Sequence, residues 1–351
     1  MSMPARTPRL LALALGTLLS LTACKGGASA SSAPAGQQNA TYSGTGSGGA
    51  NLGSFTERAP GLQYLETLTI RAVREVQSRG YDGVLRRFRE IVFSDGAGQL
   101  RVDLDAVWNP STSSWGSPHP LVAALYGPRS FFLVRHRDLH LGHGIGIYGN
   151  YAWEQQPGTV NVAGKACLVT RARSLRGYGP IDLVHDQATG LLLGWTIYDA
   201  DGVTVQAKLE TTLLDEHPNL TGVAWIADQV PEQPYQAAAH DALLGLTPRQ
   251  PTAPPAGFYR ADAQVLNASQ LFSAVQYLYL ERWSDGLRNL YLAQHQIPAP
   301  PILSDALQTA RRSQEGGVVV VETDMNDRRV FGLGSLPADQ VEMVVASMLP
   351  D

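Results

Sequence analysis

Leu191, Leu193, Trp195 and Ile197 place apolar side chains at every second position of one stretch, and Val203, Val205, Ala207 and Leu209 do the same after an Asp-Gly turn. In the second set Thr204, Gln206, Lys208 and Glu210 intervene. A period of two marks strands with one dry face and one wet face. Neighbouring antiparallel strands share a dry face only when odd residues pair with odd, which requires an odd-length loop between them. The sequence offers Ala200-Asp201-Gly202, a type I turn closed by Gly202 in the left-handed region. This spacing predicts Asp199 opposite Val203. The same parity, applied across an odd loop at 186–190, sets Leu183 opposite Leu193 and Ile181 opposite Trp195. Three successive strands then share one apolar face. Asp199 and Asp201 are turn formers in this reading. A calcium loop needs further oxygen ligands and a closing bidentate acid, whereas Val203-Thr204-Val205 follow Gly202.

The alternation recurs along the chain. Leu100, Val102, Leu104, Ala106 and Trp108 alternate with polar residues behind the turn cluster "SDGAG", and 81–92 forms the hairpin partner. Residues 62–76 read as a long strand or a short helix. A short helix is expected at 121–126 and further strands at 131–135, 160–170 and 181–185. "QVPEQPYQ" and "TPRQPTAPPAG" punctuate 229–256 with prolines, as a linker does. Strands resume beyond it, with "WSDG" at 283–286 as a tight hairpin turn. Val341, Val344, Val345 and Met348 then fall on one side of a helix over 338–348, with Asp339 and Glu342 towards its N-terminal end. That helix is expected to pack on one face of a small antiparallel sheet.

The N-terminus carries an address. Arg6 and Arg9 precede an apolar run at 10–21 that is too short to span a bilayer and ends in Leu21-Thr22-Ala23-Cys24. That ending resembles the bacterial lipobox, which implies lipidation of Cys24. Residues 25–53 are almost wholly small and polar and read as a tether, with a mean reach of about 30 Å. Cys167 is then the one remaining thiol, expected as a small buried residue.

With a formal net charge of -4 over 351 residues, no cationic stripe exists for nucleic acid or anionic lipid. "GIGIYG" matches a dinucleotide fingerprint only formally and reads as a mobile glycine loop. His136, Asp138, His140 and His143 form the densest group of potential ligands, but same-face strand neighbours diverge by nearly 7 Å, so they read as a polar face or loop without a metal. No nucleophile elbow, phosphate loop or paired-cysteine motif occurs. No catalytic residue and no cofactor are assigned.

Several short motifs carry a resemblance: Asn150-Tyr151, Val162-Ala163-Gly164-Lys165, Asp186 with Thr189-Gly190-Leu191, Asp201-Gly202, "PPAGF" at 254–258, "WSDGL" at 283–287 and "GLGSLPADQV" at 332–341. They are similar to the RseB/MucB type of periplasmic sigma-factor-regulatory protein, within the LolA/LolB-like lipoprotein superfamily. The resemblance implies an α+β fold: an antiparallel LolA-like half-barrel at 54–230, a Pro-rich linker at 231–256, and a smaller α/β sandwich-like domain with a C-terminal helix at 257–351. A signal peptide at 1–23 and a lipidated tether at 24–53 precede them. Taken with the lipobox and tether, in which the chain departs from the RseB/MucB pattern, it points to a non-enzymatic lipoprotein of the periplasm, anchored to the outer membrane, that binds a lipid or lipoprotein acyl chain in envelope-stress sensing. Leu191, Leu193, Trp195, Ile197, Val203, Val205 and Leu209, with Leu100, Leu104 and Trp108, would line the cavity or the core beneath it. The alternative is a protein-interaction regulator that binds an anti-sigma factor or envelope partner without a lipid.

Overall fold

The computed structural model describes residues 62–80, 82–97, 99–120, 138–139, 144–225, 232–269, 275–297, 311–315, 318–325 and 327–348. Cys24 with the expected signal and tether on either side of it, the expected elements at 121–126 and 131–135, and His136, His140 and His143 lie outside them. Ser54–Asp351 forms one compact unit, and within it the fold is α+β and mostly antiparallel.

Among the described residues the first sheet contains β1 (Thr69–Arg79), β2 (Leu85–Asp95), β3 (Leu100–Asn109), β4 (Ser114–Gly116), β5 (Tyr151–Gln155), β6 (Val160–Val162), β7 (Lys165–Ser174), β8 (Ile181–Asp186), β9 (Leu192–Tyr198) and β10 (Val205–Asp215), with the helix α1 (Gly144–Asn150) leading into β5. Its strand order is β4-β3-β2-β1-β10-β9-β8-β7-β5, with β6 also on β7. The stretch at 62–76 resolves into a 3₁₀ turn at Leu65–Thr67 followed by β1. The second sheet has β11 (Glu232–Pro234), β12 (Tyr259–Asn267), β13 (Tyr277–Ser284), β14 (Asn289–Gln296), β15 (Arg311–Glu315), β16 (Val318–Asp324) and β17 (Arg328–Gly334), with α2 (Ala237–Leu244) before β12 and α3 (Ala338–Ala346) after β17. Its order is β11-β12-β13-β14-β17-β16-β15.

The parity of the apolar face holds, but the turns that deliver it differ from expectation. Leu209 pairs with Trp195 and Ala207 with Ile197, odd with odd. Nearer the turn, Val205 pairs with Tyr198 and Gln206 is an extra residue, so an even-length turn is followed by a β-bulge that restores parity. The cause is Asp201. Its carboxylate accepts the Val203 and Thr204 amides, both at 2.8 Å, and the Thr204 hydroxyl at 2.6 Å. Capture of these donors lengthens the turn beyond three residues, so Val203 does not lie opposite Asp199 and is 77% exposed. Gly202 has the expected positive φ of 70°. The turn after β8 repeats the device: Asp186 accepts the Thr189 hydroxyl at 2.6 Å, and a bulge lies between Val184 and His185. Leu183 therefore faces Trp195, and Ile181 faces Ile197, two residues along from the expected partners.

A third bulge, between Arg89 and Glu90, turns Trp108 away from Leu104. Leu104 and Leu100 pack with Val92 and Val102. Trp108 instead meets Trp115 edge-on at 5.4 Å beneath the Arg87 guanidinium at 4.5 Å, so it does not line the core face. Between the clusters on that face sits a buried charge, Arg74, bonded to Glu90 and Asp138 at 2.9 Å each. Asp138 is thereby an ion-pair partner, and Cys167 is fully buried beside Leu191 and Leu193, where burial pushes its thiol pKa up.

The glycine stretch 144–149 is helical, contrary to the expected loop. A Cβ on Gly146 would come within 2.6 Å of Tyr259, and one on Gly286 within 2.5 Å of the Ile147 amide. The glycines permit a helix and a turn to touch through their backbones. The proline-rich region at 231–256 also carries regular structure: β11 pairs with β12, α2 follows, and the segment after it is strapped down. Gln294 holds the Arg249 amide at 3.0 Å and its carbonyl at 2.6 Å, and Thr252 bonds the Ser347 carbonyl at 2.9 Å. α3 buries Val341, Val344 and Val345 as the periodicity predicts.

Candidate binding cleft

The two sheets meet at the turn between β13 and β14. Ser284 pairs with Asn289, leaving Asp285-Gly286-Leu287-Arg288 as the turn. Asp285 Oδ1 accepts the Leu287 and Arg288 amides at 3.0 and 2.8 Å, the ordinary role of Asp in such a turn. What is unusual is its location, because Asp285 and Leu287 are fully buried. Leu287 inserts among Ile147, Tyr151 and Trp195 in the core of the first sheet.

The polar groups carried in with it are satisfied across the junction. The Tyr151 hydroxyl donates to Asp285 Oδ2 at 2.5 Å and accepts from Arg288 Nη1 at 2.8 Å. Arg288 also donates to the Gly179 carbonyl and lies 3.8 Å from the Asp285 carboxylate. Asn150 donates to the carbonyls of Asp285 at 2.8 Å and Gly257 at 2.9 Å, and accepts Arg176 Nε at 2.9 Å. The Tyr178 hydroxyl donates to the Ala256 carbonyl at 2.9 Å. Burial raises the Asp285 pKa against the opposing pull of Arg288 and the hydrogen bonds. It raises the Tyr151 phenol well above its ordinary value. A charged cluster this deep persists because each member has partners.

Beside this junction lies a cleft of about 480 Å³ whose walls come from both sheets. The first sheet contributes Trp195, Ile197 and Ala207; Arg288 forms part of the lining, and Leu336 to Gln340 at the start of α3 form the opposite wall. Arg79, at the end of β1, donates to the carbonyls of Val205 at 3.0 Å and Gly83 at 2.6 Å and ties the turn after β1 to the start of β10. Gln206, the bulge residue, lines the cleft and donates to Asp199 at 2.9 Å. The bulge forced by the longer turn therefore supplies a polar group to the wall.

Of the residues expected to line a cavity, Trp195 and Ile197 reach the cleft. Leu209 lies in the same core as Trp195, while Leu191 and Leu193 belong to a neighbouring cluster with Leu65 and Ile70. Leu100 and Leu104 occupy a third cluster. Val205 is half-buried and Val203 is exposed at the turn tip. The apolar face around Trp195 is itself covered by Leu139, Ile147 and Leu287. Arg288, Tyr178 and the start of α3 were not identified from the sequence. The one signal that pointed to them was Leu287 directly after an Asp-Gly turn, an apolar residue where a solvated turn would carry a polar one.

No model of a known protein family matches the chain, and no curated protein matches it. Solved structures that it is similar to include MucB, with a TM-score of 0.42 and 14% identity over 82% of this chain and 94% of that one. MucB in complex with MucA(peri) gives a TM-score of 0.42 and 16% identity over the same shares. A LolA superfamily protein from Nitrosomonas europaea gives 0.15 and 11% over 44% of this chain and 88% of that one.

Proposed function

We propose that this protein is a non-catalytic binding protein of the bacterial envelope that captures an extended segment of a partner protein in the cleft between its sheets. In this reading lipid on Cys24 tethers it in the periplasm at the outer membrane, and the segment after Cys24 gives the folded part its reach. The carrying observation is that the cleft takes walls from both sheets while the rest of the described apolar face is filled by the protein's own side chains. Seating an acyl chain along that face would displace Leu139, Ile147 and Leu287, at about 1.5–3 kcal/mol for each side chain exposed. A peptide in the cleft displaces none of them. The motif resemblance makes the periplasmic part of an anti-sigma factor the first partner to test.

The acyl-chain reading keeps one supporting observation: Trp195, Ile197 and Ala207 give the inner end of the cleft an apolar wall. In-cell photo-cross-linking from Ala200, an exposed residue of the cleft lining, separates the two. An adduct with the periplasmic segment of one envelope protein supports peptide capture. An adduct with lipid and none with protein refutes it in favour of the acyl chain.

A further inference from the structure

The cleft walls hold hydrogen-bond donors that the protein itself leaves unused. Trp195 is 2% exposed and lines the apolar inner end, and its indole N–H meets no acceptor among the described residues. The Trp153 indole N–H is unbonded too, but it is enclosed, whereas Trp195 borders open space. On the opposite wall α3 begins at Ala338, with Pro337 as its N-cap and no side chain bonded to its first amides. The Gln340 and Val341 amides bond the Pro337 carbonyl, each at 3.1 Å, which leaves those of Ala338 and Asp339 without an acceptor among the described residues. They are the orphan donors of an uncapped helix start.

Acceptors of the same lining are largely taken. The Gly179 carbonyl receives Arg288, the Gly80 carbonyl receives the Gly83 amide at 2.9 Å, and the Asp199 carboxylate receives the Ala200 amide at 2.7 Å and Gln206 at 2.9 Å. The Asp339 carboxylate is on an exposed residue and faces water. Charge favours neither sign: Arg79 and Arg288 stand against Asp199 and Asp339 in the lining, and outside it exposed Arg176 and Arg86 stand among Asp82 and Asp201. The ligand that fits is therefore uncharged, rich in acceptors and poor in donors.

We infer that the cleft takes a proline-containing extended segment of the partner, its prolines against Trp195, Ile197 and Tyr178, with backbone carbonyls accepting the Trp195 indole N–H and the Ala338 and Asp339 amides. A proline brings a carbonyl but no N–H, so such a segment supplies what these donors lack and adds few donors of its own. Its polyproline II backbone is extended before it binds, so little ordering entropy is lost, and aromatic side chains are the usual complement of that shape. The inference rests on the cleft reading and names the chemistry of the captured segment. A carboxylate or phosphate is the poorer fit, because Asp199 and Asp339 line the same space.

The test uses the purified full-length protein and fluorescence anisotropy with a labelled peptide of repeated Ser-Leu-Pro-Pro and its Ser-Leu-Ala-Ala counterpart. The proline peptide is expected to bind at least about tenfold more tightly, with little dependence on salt. In isotope-labelled protein the indole N–H resonance of Trp195, assigned by its absence from Trp195→Phe, should move as the proline peptide is added and stay in place with the alanine peptide. Ala338→Pro deletes one amide donor at the first helical position, where proline is tolerated and the Pro337 ψ of 147° already suits a following proline. It should weaken the proline peptide by about threefold or more while leaving the urea midpoint in place. Equal or undetectable binding of the two peptides overturns the inference, as does an unmoved Trp195 resonance at saturation. Ala200→Trp separates the inference from the reading beneath it. Proline-peptide binding that survives Ala200→Trp refutes the cleft as its site and the inference with it. Affinity for the cross-linked partner segment that falls in Ala200→Trp but is unchanged in Ala338→Pro and Trp195→Phe leaves the cleft standing and refutes the proline chemistry alone.

Discussion

Replacing Tyr151 by Phe tests whether the buried turn clamps the two sheets together. The substitution keeps the ring, and hence its packing against Ile147 and Leu287, and removes one oxygen. That oxygen makes two hydrogen bonds, to Asp285 at 2.5 Å and from Arg288 at 2.8 Å, and both partners are charged and at most 2% exposed. Hydrogen bonds to charged groups contribute about 1.5–3 kcal/mol each. The partners keep some compensation, because Asp285 retains the Leu287 and Arg288 amides and Arg288 retains the Gly179 carbonyl. A total loss of about 2–4 kcal/mol follows. Tyr178→Phe is the internal control: it loses a single bond to a backbone carbonyl at a half-buried site and should cost about 1 kcal/mol. Urea unfolding with the slope held constant reads both. A Tyr151→Phe loss below that of Tyr178→Phe would refute the clamp.

Further outcomes follow from the same geometry. Leu287→Ala empties a fully buried site in the first sheet's core and should lower stability by about 2–5 kcal/mol in urea unfolding, against no more than about 0.5 kcal/mol for exposed Val203→Ala. Gly202→Ala forces a side chain into φ 70° and should cost about 1 kcal/mol by the same measurement, although the added Cβ would meet the Pro180 ring only at an ordinary contact distance of 3.8 Å. Burial holds the pKa values of His185 and His295 below 6.5 in the folded protein. The unfolded chain therefore binds more protons, and stability present above pH 6.5 should be lost as pH falls through the folded values. The urea midpoint should drop on acidification, and His185→Gln with His295→Gln should flatten that dependence.

How much was legible depended on how local the cause was. Face parity was readable because it is a property of neighbouring residues: odd pairs with odd, although Leu209 meets Trp195 where the expected register put Leu193, and α3 buries the valines that its spacing marks. Turn length was misread because Asp201 and Asp186 each capture side-chain and backbone donors and lengthen the loop, after which a bulge restores the parity. Trp108 was misplaced for the same kind of reason, since one extra residue in β3 reverses its face while leaving the alternation in the sequence intact. Of the junction, only the apolar Leu287 directly after an Asp-Gly turn left a trace in the sequence. Tyr151 meets Asp285 and Arg288 across 134 and 137 positions, and no local pattern reports a contact of that separation. The acids that looked like ligands close turns, and the glycines that looked like a phosphate loop allow a helix to touch a turn.

The most direct measurement of the proposed function is the affinity of the full-length protein for its cross-linked partner segment, with and without Ala200→Trp. Ala200 is exposed, so an indole there should fill the cleft mouth while leaving the urea midpoint unchanged. A loss of at least about tenfold in affinity, about 1.4 kcal/mol, is predicted. Unchanged affinity in a folded Ala200→Trp protein would contradict capture in the cleft.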